Sequence, residues 1–138
     1  MEARRDFDLL PEDEKFLNEY NLPWETITDG SQWVLIHNFP SQHEGYNHGT
    51  VTIAIRLETG YPNTPLDMVY VDPPLARRDR QAIGATNAHQ NIAGKTYQRW
   101  SRHRTAQNPW RPGEDGISSH VFLIEDWFAR EFEKCPQR

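Results

Sequence analysis

From Thr50 to Leu57 the chain alternates Val51, Ile53, Ile55 and Leu57 with Thr52, Ala54 and Arg56, then runs into Gly60-Tyr61-Pro62-Asn63-Thr64-Pro65. The two-residue period belongs to a half-buried strand with one face turned inward. Each proline in the next stretch disfavours helix and limits strand pairing, so an irregular extended link must follow the strand. Few folds accommodate a one-sided sheet interrupted by such a strap. Neighbouring segments agree with this reading. Residues 24–28 and 32–39 read as two strands joined by the hairpin signal Asp29-Gly30. Residues 67–71 give a fourth, ended by Asp72-Pro73-Pro74.

Helices bracket the sheet. Pro11 and the acids Glu12, Asp13 and Glu14 suit a first helical turn, and Phe16, Leu17 and Tyr20 share one side, which predicts a helix over 11–20. A stripe of Val121, Ile124, Trp127, Phe128 and Phe132 predicts a longer helix over 116–134. Residues 75–97 have no clean period and read as mostly loop with a turn of helix. The order is helix, four-stranded antiparallel meander, irregular crossover, helix: an α+β domain with helices packed on one sheet.

At 138 residues the chain has room for one domain, and 36% apolar content with five tryptophans suits a compact core. Its longest apolar runs, 33–36 and 121–124, are too short to span a bilayer. The stretch Met1-Glu2-Ala3-Arg4-Arg5-Asp6 lacks the apolar core of a signal peptide, so the cytoplasm is the default expectation. A net charge of −5 argues against general nucleic-acid affinity. One cysteine, Cys135, can make neither an internal disulfide nor a thiolate cluster. His37, His43, His48 and His120 form no metal set, and with no Gly-rich phosphate loop the chain is expected to carry no metal and no cofactor. Asp67 and Asp72, at strand ends, read as solvated or capping groups.

The concentration of chemistry lies at Trp100-Ser-Arg-His-Arg-Thr-Ala-Gln-Asn-Pro-Trp-Arg-Pro112. Arginines 77, 78, 80, 99, 102, 104 and 111 make the middle of an acidic protein basic, either as a partner surface or as a solvated loop.

Several of these features resemble the ubiquitin-conjugating (E2, UBC) fold. Tyr61-Pro62-Asn63-Thr64-Pro65-Leu66 is similar to the tyrosine-proline link between the third and fourth E2 strands, and Trp110-Arg111-Pro112 to the tryptophan-x-proline after an E2 active site. With Gly45-Tyr46-Asn47, Asp67-Met68, Asp72-Pro73-Pro74 and Trp100-Ser101-Arg102-His103-Arg104, the chain is identified as a member of the bacterial E2-like family E, from about Leu10 to Phe128. Such proteins accompany bacterial ubiquitin-like, E1-like and JAB-peptidase proteins. The resemblance therefore implies a ubiquitin-like protein and an E1-like activating protein as partners, and antiviral defence only by the company such proteins keep. ATP use would belong to the E1-like partner.

An E2 carries its donor as a thioester on a cysteine that follows His-Pro-Asn and precedes Trp-x-Pro; this chain has none in that interval. Ser101 stands at a similar distance before Trp110, and His89-Gln90-Asn91 lies upstream in the order of His-Pro-Asn. An alignment anchored on Gly94 would put Tyr97 at the cysteine position instead. Ser101 is preferred, because in an extended 99–103 segment Arg99, Ser101 and His103 face one side. His103 would serve there as a general base, or satisfy a backbone carbonyl. Asn91 or the arginines would stabilise an oxyanion, unless Asn91 only shapes a turn. Arg99, Arg102, Arg104 and Trp110 are the expected partner contacts, the alternatives being ion pairs for the arginines and core packing for the indole. Cys135, near a chain end expected to fray, is a poor replacement nucleophile. The expected function is an E2-like carrier forming an oxyester on Ser101; the alternatives are a non-catalytic module that binds a ubiquitin-like protein or E1, and a scaffold.

Overall fold

The computed structural model describes residues 3–135. Helix α1 (Pro11–Tyr20) has proline and three acids in its first turn and ends at Asn21 in the left-handed region, φ 66°. Strands β1 (Trp24–Asp29), β2 (Ser31–Pro40), β3 (Thr50–Leu57) and β4 (Val69–Asp72) follow, then β5 (His89–Ile92), β6 (Lys95–Trp100) and helix α2 (Ile117–Lys134). All six strands join one antiparallel sheet in the order β1-β2-β3-β4-β6-β5. The α+β class stands, and the four-strand meander is its first part.

The β5–β6 hairpin corrects the reading of 75–97. Ile92 pairs with Lys95 across the two-residue turn Ala93-Gly94, both at positive φ (50° and 82°), the conformation whose twist matches flanking strands. No period announces β5, because it is a short edge strand with only Ile92 buried.

Both faces of the sheet are filled. On the helix side, Val51, Ile53, Ile55 and Leu57 of β3 meet Val121, Ile124, Phe128 and Phe132 of α2, with Trp100 and Tyr46 among them. The other face packs Ile27, Trp33, Leu35, Ala54, Tyr70, Ile92 and Tyr97 together without a second layer of helices. Curling makes this possible. The two edge strands approach until the Ala93 N–H donates to Asp29 Oδ2 at 2.8 Å, and residues 4–6 cover the β1 edge through backbone bonds to Thr26. Such cover keeps an edge from pairing with other chains. Among the described residues no helix is long and apolar enough to cross a membrane.

Candidate functional site

The proline link is fastened on three sides. Gly60 starts it at φ +93°, a conformation that favours glycine, and a Cβ there would stand 2.6 Å from Thr64 Oγ1 and force that hydroxyl to shift. Trp110 donates its indole N–H to the Pro62 carbonyl at 2.9 Å and packs against Tyr61. The Tyr61 hydroxyl donates to Asp13 Oδ2 at 2.7 Å and accepts the Ile117 N–H at 3.0 Å. Asp13 Oδ1 takes that same N–H at 3.3 Å, so α1 and the link together cap α2. Burial raises the Asp13 carboxyl above its ordinary range despite these donors.

Between β6 and α2, the 101–116 segment is braced mainly by its arginines. Arg104, whose side chain is 9% exposed, reaches Asp115 at 3.5 Å and Ser119 at 3.4 Å, with its guanidinium 5.0 Å above the Trp110 ring. Arg102 donates to the Gly84 carbonyl at 3.0 Å, stands 3.8 Å from Glu131 and lies over Trp100; burial lowers its pKa. Arg99 faces Tyr70 across the ladder, with its Nε shut away from any partner. Of the four expected partner contacts, Arg102, Arg104 and Trp110 thus hold the segment to the body of the protein. The first two do so partly through ion pairs with acids of the C-terminal quarter.

His103 behaves differently. Its ring is 60% exposed, and Nδ1 stands 2.9 Å from each oxygen of Asp67, itself 44% exposed. Its partner is therefore a carboxylate, not a backbone carbonyl. Asp67 was missed by sequence reasoning; 36 residues separate the pair, and only pairing across the sheet joins them. The Met68 N–H donates to the Arg102 carbonyl at 3.1 Å, carrying the β4–β6 contact beyond the strands. Beneath it His120, fully buried in α2, bonds the Met68 carbonyl through Nε2 at 2.8 Å.

A cavity of about 490 Å³ opens here, walled by Pro65, Leu66, Asp67, His103, Thr105 and Trp110. A second, about 520 Å³, lies on the other side of His103 and Thr105 and extends to Arg102, Glu131 and Cys135. The fold thus brings Cys135 to a wall that His103 shares, which its place in the sequence gave no hint of. A roomier cavity of about 690 Å³ beside residues 7–11 and the β1–β2 turn holds no histidine, cysteine or basic group, and its size alone carries no chemistry.

Ser101 follows β6 directly, half-buried, with its N–H on the Ala85 carbonyl at 3.0 Å and its hydroxyl without a hydrogen bond among the described residues. It lies outside both cavity linings, whereas the hydroxyl-bearing Thr105 belongs to both. Asn91 is not brought to the site. Its side chain accepts from Thr96 across the hairpin at 2.9 Å, five residues up β6 from Ser101, roughly 17 Å along a strand. Tyr97 is buried on the second face of the sheet, where burial pushes its hydroxyl up to about 12. Among the described residues no three His, Cys, Asp or Glu side chains gather to hold a metal ion.

A sequence profile described as prokaryotic E2 family E matches residues 9–131. No curated protein and no solved structure matches the chain.

Proposed function

The chain belongs to prokaryotic E2 family E, and from that premise we propose that it is an acyl carrier that receives the C-terminus of a ubiquitin-like protein from an E1-like protein as an oxyester on Ser101. An E2-like role, with E1-like and ubiquitin-like partners in general, follows from the family. The oxyester is the finer step. The observation that carries it is the thiol-free 101–105 segment: two hydroxyls flank His103, and the segment enters a cavity walled by the proline link and Trp110. A hydroxyl is a weak nucleophile at neutral pH, and an adjacent imidazole is the usual means of activating one.

The test is incubation with the cognate E1-like protein, the ubiquitin-like protein and ATP. The expected product is a covalent adduct that resists thiol reductant, yields to hydroxylamine or base, vanishes in Ser101→Ala and persists in Cys135→Ala. Loss in Thr105→Ala with persistence in Ser101→Ala would move the acceptor to Thr105. The second reading, a non-catalytic binding module, is favoured by the half-buried position of Ser101 outside the cavity. It predicts stable association and no adduct with any variant.

A further inference from the structure

We propose that Asp67 is the positioning residue for His103, holding the imidazole with its proton on Nδ1 so that Nε2 stays free as the proton acceptor of the acyl-transfer steps; this rests on the carrier reading above. Both carboxylate oxygens stand 2.9 Å from Nδ1, and an ionised carboxylate can only accept, so Nδ1 donates. A neutral imidazole that donates from Nδ1 carries its lone pair on Nε2. A chance surface pair would have mobile partners, whereas here both backbones are tied. The residue after Asp67 is bonded through its N–H to Arg102, the residue before His103, and through its carbonyl to the buried His120. Next to His103, Arg104 is braced against Asp115, Ser119 and Trp110. The whole arrangement joins two segments far apart in the chain at one cavity wall.

The chemistry balances. On loading, the Ser101 hydroxyl oxygen attacks the carbonyl carbon of the thioester carried by the E1-like protein, and its proton passes to His103 Nε2. The C–S bond breaks, and the departing thiolate takes that proton. On transfer, an acceptor amine attacks the oxyester carbonyl and its proton passes to Nε2. As the C–O bond breaks, Nε2 returns that proton to the Ser101 oxygen. Asp67 stays ionised throughout, stabilising the imidazolium and fixing the ring.

The decisive comparison is wild type against Asp67→Asn and Asp67→Glu, with two readouts and partner binding as the control. Ring-nitrogen NMR of His103, at a pH where the imidazole is neutral, reports which nitrogen carries the proton. Adduct formation reports the rate. Wild type is expected to be protonated at Nδ1. Asp67→Asn is expected to lose that preference and to load roughly 10- to 100-fold more slowly. Its non-covalent binding of the two partners should not change, and Asp67→Glu should recover much of the rate. Loading of Asp67→Asn at the wild-type rate, or a wild-type proton on Nε2, overturns the assignment while leaving the carrier reading intact. No adduct with wild type overturns the carrier reading itself and this inference with it.

Discussion

His120 and Glu25 give the protein two separate sources of acid sensitivity. Burial lowers His120 from 6.5 to about 4. The unfolded chain therefore binds more protons than the folded one between those values, and stability falls as pH drops through that window. The linked free energy is about 3 kcal/mol. In contrast, Glu25 is held down to about 2, first by the side-chain bond from Arg4 and further by the Arg4 backbone N–H and His37. Its contribution is present above the ordinary carboxylate range and is lost only as pH falls toward 2. Solvent around the half-exposed Arg4 limits it to about 1–2 kcal/mol. Urea melts across pH should separate the two: His120→Gln flattens the slope between 6.5 and 4, and Glu25→Gln flattens it below 4.5. The same slope in wild type and His120→Gln would mean that His120 is not held neutral. His37 between Glu25 and Thr52, and His43 stacked on Phe132, take structural places as well. His103, by contrast, meets both site cavities with an exposed ring.

At the scale of elements, α2 is the member that the others are fitted to. Its stripe was legible because a 3.6-residue period survives in sequence. Its start, read at 116, falls at Ile117; the cap on that start was not legible, because the first N–H is satisfied by Tyr61 and Asp13, 56 and 104 residues away. Gly116 before it leaves little room: a Cβ there would stand 3.1 Å from Asp13 Oδ1 and 3.2 Å from the Tyr61 hydroxyl. Tyr61→Phe removes one acceptor from the helix start and one donor from a buried carboxylate, and should cost about 1–3 kcal/mol by denaturant unfolding. A cost near zero would mean that water replaces the hydroxyl. At the other end, Tyr46 of the Gly45-Tyr46-Asn47 motif donates to the Phe128 carbonyl at 2.6 Å and packs on Phe132. That motif is a packing device.

Across the whole molecule the curl of the sheet matters most. It lets a domain with helices on one side only bury Trp33, Tyr70 and Tyr97 on the other. Asp29 is the visible clasp between the sheet edges. Asp29→Ala should lower stability by about 0.5–1.5 kcal/mol and speed amide exchange across the β5–β6 hairpin before the rest of the sheet. Uniform exchange in wild type and variant would show that the hairpin needs no clasp. Pairing of β4 with β6 also brings the 101–105 segment beside the proline link. The candidate site is thus a product of sheet order, not of any one segment.

The sequence by itself determined α1, β1 to β3, the existence of β4, the helix stripe of α2, the family and the thiol-free crossover. Each is written in local periodicity, turn residues or short motifs, and such signals do not depend on what the chain later meets. Only the tertiary structure decided the β5–β6 hairpin, the bracing work of Arg102 and Arg104, the distance of Asn91 from Ser101, and the meeting of Asp67 with His103. The physical reason is the same for all four. A polar edge strand, an ion pair and a hydrogen bond between distant segments are fixed by which surfaces the buried core brings together, and residue spacing along the chain does not record that.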